Sequence, residues 1–181
     1  MSGCDYRSVG DNSSIKDYVQ AYYSGFLSRH TKSRGSLVAV LFDYFSVPVK
    51  LEEFSGVWKE IDKKYLCKMG ESPEISTMGE GMVMGEKYWD CQKKFRIKLG
   101  PMPYKKYIEF LPGREAFKHL VEWVKKFNKS HFEWDLQLVL SADAVKPCGQ
   151  GTLMGYTGWM LSEPNKEDRE DLIIENPEKK Y

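Results

Sequence analysis

The sequence predicts an α+β fold: an N-terminal αα-hairpin, then a mixed or antiparallel sheet with helices packed on one face. Three observations carry this. In the stretch from Trp89 to Leu140, Phe95, Ile97 and Leu99 alternate with Arg96 and Lys98. Trp134, Leu136, Leu138 and Leu140 alternate in the same way with Asp135, Gln137 and Val139, so both segments have the period-two pattern of strands. Between them Phe117, Leu120, Val121, Val124 and Phe127 recur at three and four residues, the stripe of an amphipathic helix. Two more helical stripes precede this strand–helix–strand unit. Each element is apolar on one side and must bury that side against another.

In chain order, residues 1–12 read as a polar, flexible lead. Ser13 or Ser14 is a suitable helix cap. Ile15, Tyr18, Val19, Tyr22, Tyr23, Phe26 and Leu27 then form one helical stripe, ending near Arg29 and His30, cations suited to a helix C-terminus. After a turn at 30–33, a second helix is expected from Arg34 to Phe45 with Leu37, Val38, Leu41, Phe42 and Phe45 on its apolar face. The pair makes a helical hairpin over 13–46. Pro48 stops the helix, and Val47, Val49 and Leu51 alternate as an edge strand. Phe54, Val57, Trp58 and Ile61 extend this strand past a bend at Gly56. Residues 62–85 form a long loop, with one strand at Met82 to Met84. A short helix carrying Tyr104, Tyr107, Ile108 and Leu111 lies between Pro101, Pro103 and Pro112–Gly113. Leu153, Tyr156, Trp159 and Leu161 are expected as a last strand. From Glu163 onward seven acids face four bases, which reads as a solvated tail over 163–181 with room for a short helix. One domain thus spans 13–162, with the sheet and its helices occupying 47–162.

The chain has 181 residues, enough for a real core, and 41% apolar and 14% aromatic residues exclude a disordered polymer. Net charge is +1, so no strong field points to nucleic acid or an anionic membrane. Cys4, Cys67, Cys91 and Cys148 are widely spaced and read as free thiols of a cytoplasmic protein. No apolar run reaches the roughly 20 residues of a membrane span.

Catalytic and metal patterns do not emerge. His30, His119 and His131 lie in separate elements without a ligand spacing. Gly79-Glu80-Gly81 with Gly85 lacks the Gly-Lys-Ser/Thr of a phosphate loop. Glu133 and Asp135 stand two apart, expected on the solvent face of a strand, and Glu52 adjoins Glu53. Cys91, between Asp90 and Gln92, has no base beside it. The expectation is a non-enzyme without cofactor or metal. Lys93, Lys94, Arg96, Lys98, Lys105 and Lys106 gather positive charge, so an alternative reading is a nucleic-acid-binding module using the 93–106 region. A charged face meeting an acidic partner is the simpler account.

The order of several words resembles a family. AYYSGFLSRHTKS, SLVAVLFDYFSVPVKLEEFSGVW, MVMGEKYWDCQKKFRIKLGPMPYKKYIEFLPG, FEWDLQLVLSADAV and TLMGYTGW together are similar to TssG, a baseplate subunit of the bacterial type VI secretion system. The resemblance runs from about Tyr22 to Trp159. It implies a structural part of a hetero-oligomeric wedge, assembled with TssF-like, TssK-like and TssE-like proteins, in a contractile machine docked at a membrane but not inserted in it. Family members carry a longer portion before the Tyr22-like segment, and contacts made by that portion are not carried over. Candidate partner contacts are Tyr18, Tyr22, Tyr23 and Phe26 on the first helix, with Arg96, Lys98, Lys105 and Lys106 around the Phe95 strand.

Overall fold

The computed structural model describes residues 15–67, 77, 85–128, 132–145, 148–149, 152–160 and 167–180. The expected lead, the Ser13/Ser14 cap, the Met82–Met84 strand, His131 and Leu161 lie outside the described residues. The elements run α1 (Asp17–Tyr22), α2 (Ser24–Leu27), α3 (Arg34–Phe45), β1 (Val49–Glu52), β2 (Val57–Glu60), β3 (Lys87–Asp90), β4 (Lys94–Met102), α4 (Tyr104–Glu109), α5 (Glu115–Asn128), β5 (Glu133–Leu140), β6 (Arg169–Glu175) and α6 (Pro177–Lys180). The chain divides into two compact units: Met1–Glu53 with Phe95–Tyr181, and Phe54–Lys94.

The larger unit is a four-stranded sheet in the order β1-β4-β5-β6. β1 pairs antiparallel with β4, Leu51 opposite Ile97, and β5 pairs antiparallel with β6, Leu136 opposite Ile174. β4 and β5 run parallel: Arg96 reaches Asp135 and, six residues on, the Ser141 amide donates to the Met102 carbonyl. A parallel neighbour needs a crossover, and α4 and α5 supply it. The mixed sheet and its helices make the α+β fold the sequence predicts. β4 and β5 approach closely at Gly100, which has φ +122°; a Cβ there would collide with the Val139 carbonyl oxygen.

One sheet face carries the core. Leu51, Ile97, Leu99, Trp134, Leu136, Leu138, Leu140 and Ile174 are buried there with Phe117, Leu120, Trp123, Val124 and Phe127 of α5. The α5 stripe matches the spacing read from the sequence, with Trp123 added to it. α3 begins at Arg34 as expected, because the Ser33 hydroxyl accepts from the Ser36 amide, 3.2 Å, at its N-cap. It buries Leu37, Val40 and Leu41, while Phe42 faces solvent.

Several expectations are corrected. The first helix is not continuous: Tyr23 leaves helical geometry at φ −88°, ψ 8°, just before the poor helix formers Ser24 and Gly25. Asp135 is not on a solvent face but 1% exposed, because β5 is a central strand covered on both sides. Residues 152–160 form a turn with only an isolated bridge at Trp159, not a strand. Thr157 is buried within it and its hydroxyl accepts from the Leu153 amide. The expected solvated tail supplies β6, an edge strand whose Leu172 and Ile174 complete the core, and then α6, whose Glu178 accepts from the Trp134 indole N–H at 2.9 Å.

The smaller unit is a two-stranded antiparallel ribbon, β2 with β3, Trp58 opposite Trp89. Val57 and Trp58 therefore do not extend β1. The chain leaves the sheet after β1 and rejoins it at β4, where the Ser55 amide donates to the Lys94 carbonyl at 3.0 Å.

Candidate partner-binding surfaces

On α1 and α2 two aromatic–aliphatic stripes run side by side. Ile15, Val19, Tyr23 and Leu27, four residues apart, turn inward and pack in or against the core. Tyr18, Tyr22 and Phe26, also four apart, turn outward, Tyr18 69% and Tyr22 76% exposed. Lys16 stands over the Tyr18 ring at 6.0 Å and Arg29 over the Phe26 ring at 5.8 Å.

Tyr23 behaves differently from its neighbours. It is 6% exposed, its ring meets Trp123 edge-on at 5.3 Å, and its hydroxyl donates to the Asp43 carboxylate at 2.5 Å. Burial and the anionic acceptor both push its phenol pKa far above the ordinary tyrosine value. As a candidate contact it is displaced: it is a strut joining this segment to α3 and α5. Periodicity alone missed the distinction, since every apolar residue of the segment counted towards one stripe.

The cations of the Phe95 strand are engaged within the molecule. Arg96 pairs with Asp135 at 3.7 Å, and Lys98 pairs with Glu170 of β6. Lys106 donates to the Ser46 carbonyl at 3.0 Å, holding α4 near the C-terminus of α3, whereas Lys105 is exposed. Paired to acids, Arg96 and Lys98 offer little free charge to phosphates, and the nucleic-acid alternative finds no support here.

The ribbon carries a surface that the sequence reading did not assign. Trp58 is 63% and Trp89 55% exposed, their rings 5.2 Å apart and edge-on. Trp89 lies over Gly56, where any Cβ would overlap the indole. Phe54 is exposed and holds φ +60°, an uncommon conformation for a non-glycine residue. The charges around this face neutralise one another, Lys59 with Asp90 at 3.4 Å and Lys87 with Glu60 at 3.3 Å. The available signal was the cross-strand partner of Trp58, which only a strand at 87–90 reveals.

Among the described residues no three His, Cys, Asp or Glu side chains gather as a metal site, and no helix is long and apolar enough to cross a membrane. Cys67, Cys91 and Cys148 are free thiols.

The profile of the family described as "Type VI secretion, TssG" matches residues 1–161. The chain belongs to this family. The fold is similar to a chain in the cryo-electron microscopy structure of a type VI secretion TssK-TssF-TssG baseplate subcomplex, with TM-score 0.59 and 11% identity, over 87% of this chain and 66% of that one. It is also similar to a chain of the baseplate complex from the type VI secretion system, with TM-score 0.52 and 15% identity, over 93% of this chain and 48% of that one. The TssG-family chain thus spans 66% and 48% of the lengths of these two relatives of known structure. No curated protein matches it.

Proposed function

We propose that this TssG-family chain is a structural, non-enzymatic subunit of a type VI secretion baseplate wedge. It assembles with TssF-like, TssK-like and TssE-like proteins in a hetero-oligomer that supports the contractile tail. In this reading it works in the cytoplasm, against a membrane-docked machine. The family match over residues 1–161 carries the proposal. The surface chemistry supports it: outward aromatic groups on α1–α2 and on the ribbon are the kind of anchor that buries at a protein interface. Tyr18, Tyr22 and Phe26 are the contacts on the helical segment. Trp58 and Trp89 are the contacts on the ribbon. Arg96, Lys98 and Lys106, held by internal partners, contribute at most to a polar rim, together with Lys105.

The test is co-expression of the chain with its TssF-like and TssK-like partners, followed by affinity purification and identification of the bound chains. A stable complex in fixed stoichiometry is expected. A Tyr22→Ala/Phe26→Ala double variant, folded by circular dichroism, should lose most of the TssF-like protein. Recovery of the wild-type chain alone under conditions where the partners are folded would overturn the reading.

A further inference from the structure

We propose that the Tyr18–Tyr22–Phe26 stripe docks an amphipathic helix of a partner protein whose apolar stripe is rimmed by Asp and Glu. The inference rests on the assembly reading above and names the partner chemistry at this face. Three rings four residues apart cover about two helical turns, the length over which a partner helix presents anchors at i, i+3 or i+4 and i+7. The opposite stripe is fixed in the core through Ile15 and Tyr23, so the outward face is held rigid before anything binds.

The charge identifies the occupant. The whole chain carries net +1, yet from Lys16 to Arg34 four cations stand against a single acid, Asp17. Two of the cations are engaged within the chain: Lys32 donates to the Leu27 carbonyl, and Arg34, on the surface, lies 3.9 Å from Glu53. The other two, Lys16 and Arg29, flank the ends of the stripe, each stacked against one of its rings. A ring that carries a cation on one side meets an apolar side chain on the other, and the cation then faces the partner's rim, where a carboxylate satisfies it. A lipid surface fits less well, since anionic membranes are held by clusters of about four to eight basic residues, not two.

The experiment uses the full chain and three synthetic peptides of about 18 residues with one Leu/Phe stripe and rims of Glu, Gln or Lys. Binding is read by fluorescence anisotropy at low and high salt. The Glu-rimmed peptide should bind at least about tenfold more tightly than the Lys-rimmed one, and salt should narrow the gap. A Lys16→Glu/Arg29→Glu variant should reverse the preference, and Tyr22→Ala should weaken all three peptides. Equal affinity for the three rims, no binding by any, or tighter binding to phosphatidylserine vesicles than to the Glu-rimmed peptide would each overturn the inference. If the peptides show no rim preference while the TssF-like complex still forms, the charge assignment fails and the assembly reading stands.

Discussion

Two pairs of tryptophans in this molecule do opposite work. Trp123 and Trp134 are fully buried between α5 and the sheet, one with Tyr23 and Tyr44 against its ring, the other with its N–H on Glu178. Trp58 and Trp89 are paired across a two-stranded ribbon and remain more than half exposed. An isolated ribbon of two strands is marginal in water, and it has few ways to bury a large ring. Its indoles stabilise it by cross-strand contact while leaving their outer faces free. The two indoles of the larger unit stabilise the fold alone; those of the ribbon both hold the strands and form the surface.

The largest expected effect of breaking this contrast lies in the core. Trp123→Ala removes a fully buried ring and the partner of Tyr23, and should cost about 3–5 kcal/mol in denaturant unfolding of the larger unit. Trp58→Ala, in contrast, should leave that transition in place. A loss below about 1 kcal/mol for Trp123→Ala would show that α5 is not held by this cluster.

Next in size is the buried carboxylate on the second sheet face. Asp135 pairs with Arg96, whose side chain retains some exposure. Asp135→Ala leaves that guanidinium without its acid, and should cost about 2–3 kcal/mol, less than a wholly buried pair because water reaches Arg96. An Arg96→Ala/Asp135→Ala double variant should recover part of the loss, measured as a coupling energy in the cycle.

These elements differ in how plainly the sequence announced them. α5, β4 and β5 were legible because each has a clean period and packs through it. α3 was legible from the apolar stripe that follows the turn at 30–33. The stripe could not show that Tyr22 and Tyr23, adjacent in sequence, point to water and to core, because the segment is apolar on two neighbouring faces and periodicity does not say which one is covered. Asp135 read as a solvent-facing acid because alternation assumes one wet face, and a central strand has none. β6 was hidden by its charge. Glu170, Asp171 and Glu175 resemble a tail, yet acids on an edge strand are also what keeps it from pairing with other chains. The ribbon was hidden by distance, its strands separated by the segment from Ile61 to Glu86.

A smaller effect sharpens the ribbon side of the comparison. Gly56→Ala places a methyl group where the Trp89 ring lies, so the indole must swing away. The expected cost is about 1–3 kcal/mol, confined to the ribbon. Far-ultraviolet circular dichroism should lose the exciton band of the Trp58–Trp89 pair while unfolding of the larger unit keeps its midpoint. An unchanged exciton band would show that the pair does not depend on this glycine.

The smallest effect is a titration. The Gln92 backbone N–H, 3.0 Å from the Asp90 carboxylate, lowers its pKa below the ordinary 3.8, and Lys59 across the ribbon lowers it further. A depressed carboxylate pKa stabilises the folded ribbon at every pH above the unfolded value, and that stabilisation is lost as pH falls through the folded one. The exciton band should therefore hold steady down to pH 3.8 and fade only below it. Asp90→Asn keeps an oxygen for the Gln92 amide but removes the charge facing Lys59, so its band should be weaker at neutral pH and flat through the acid range. If wild type and Asp90→Asn faded together, the acid transition would belong to another carboxylate, such as Glu60 facing Lys87, and not to Asp90.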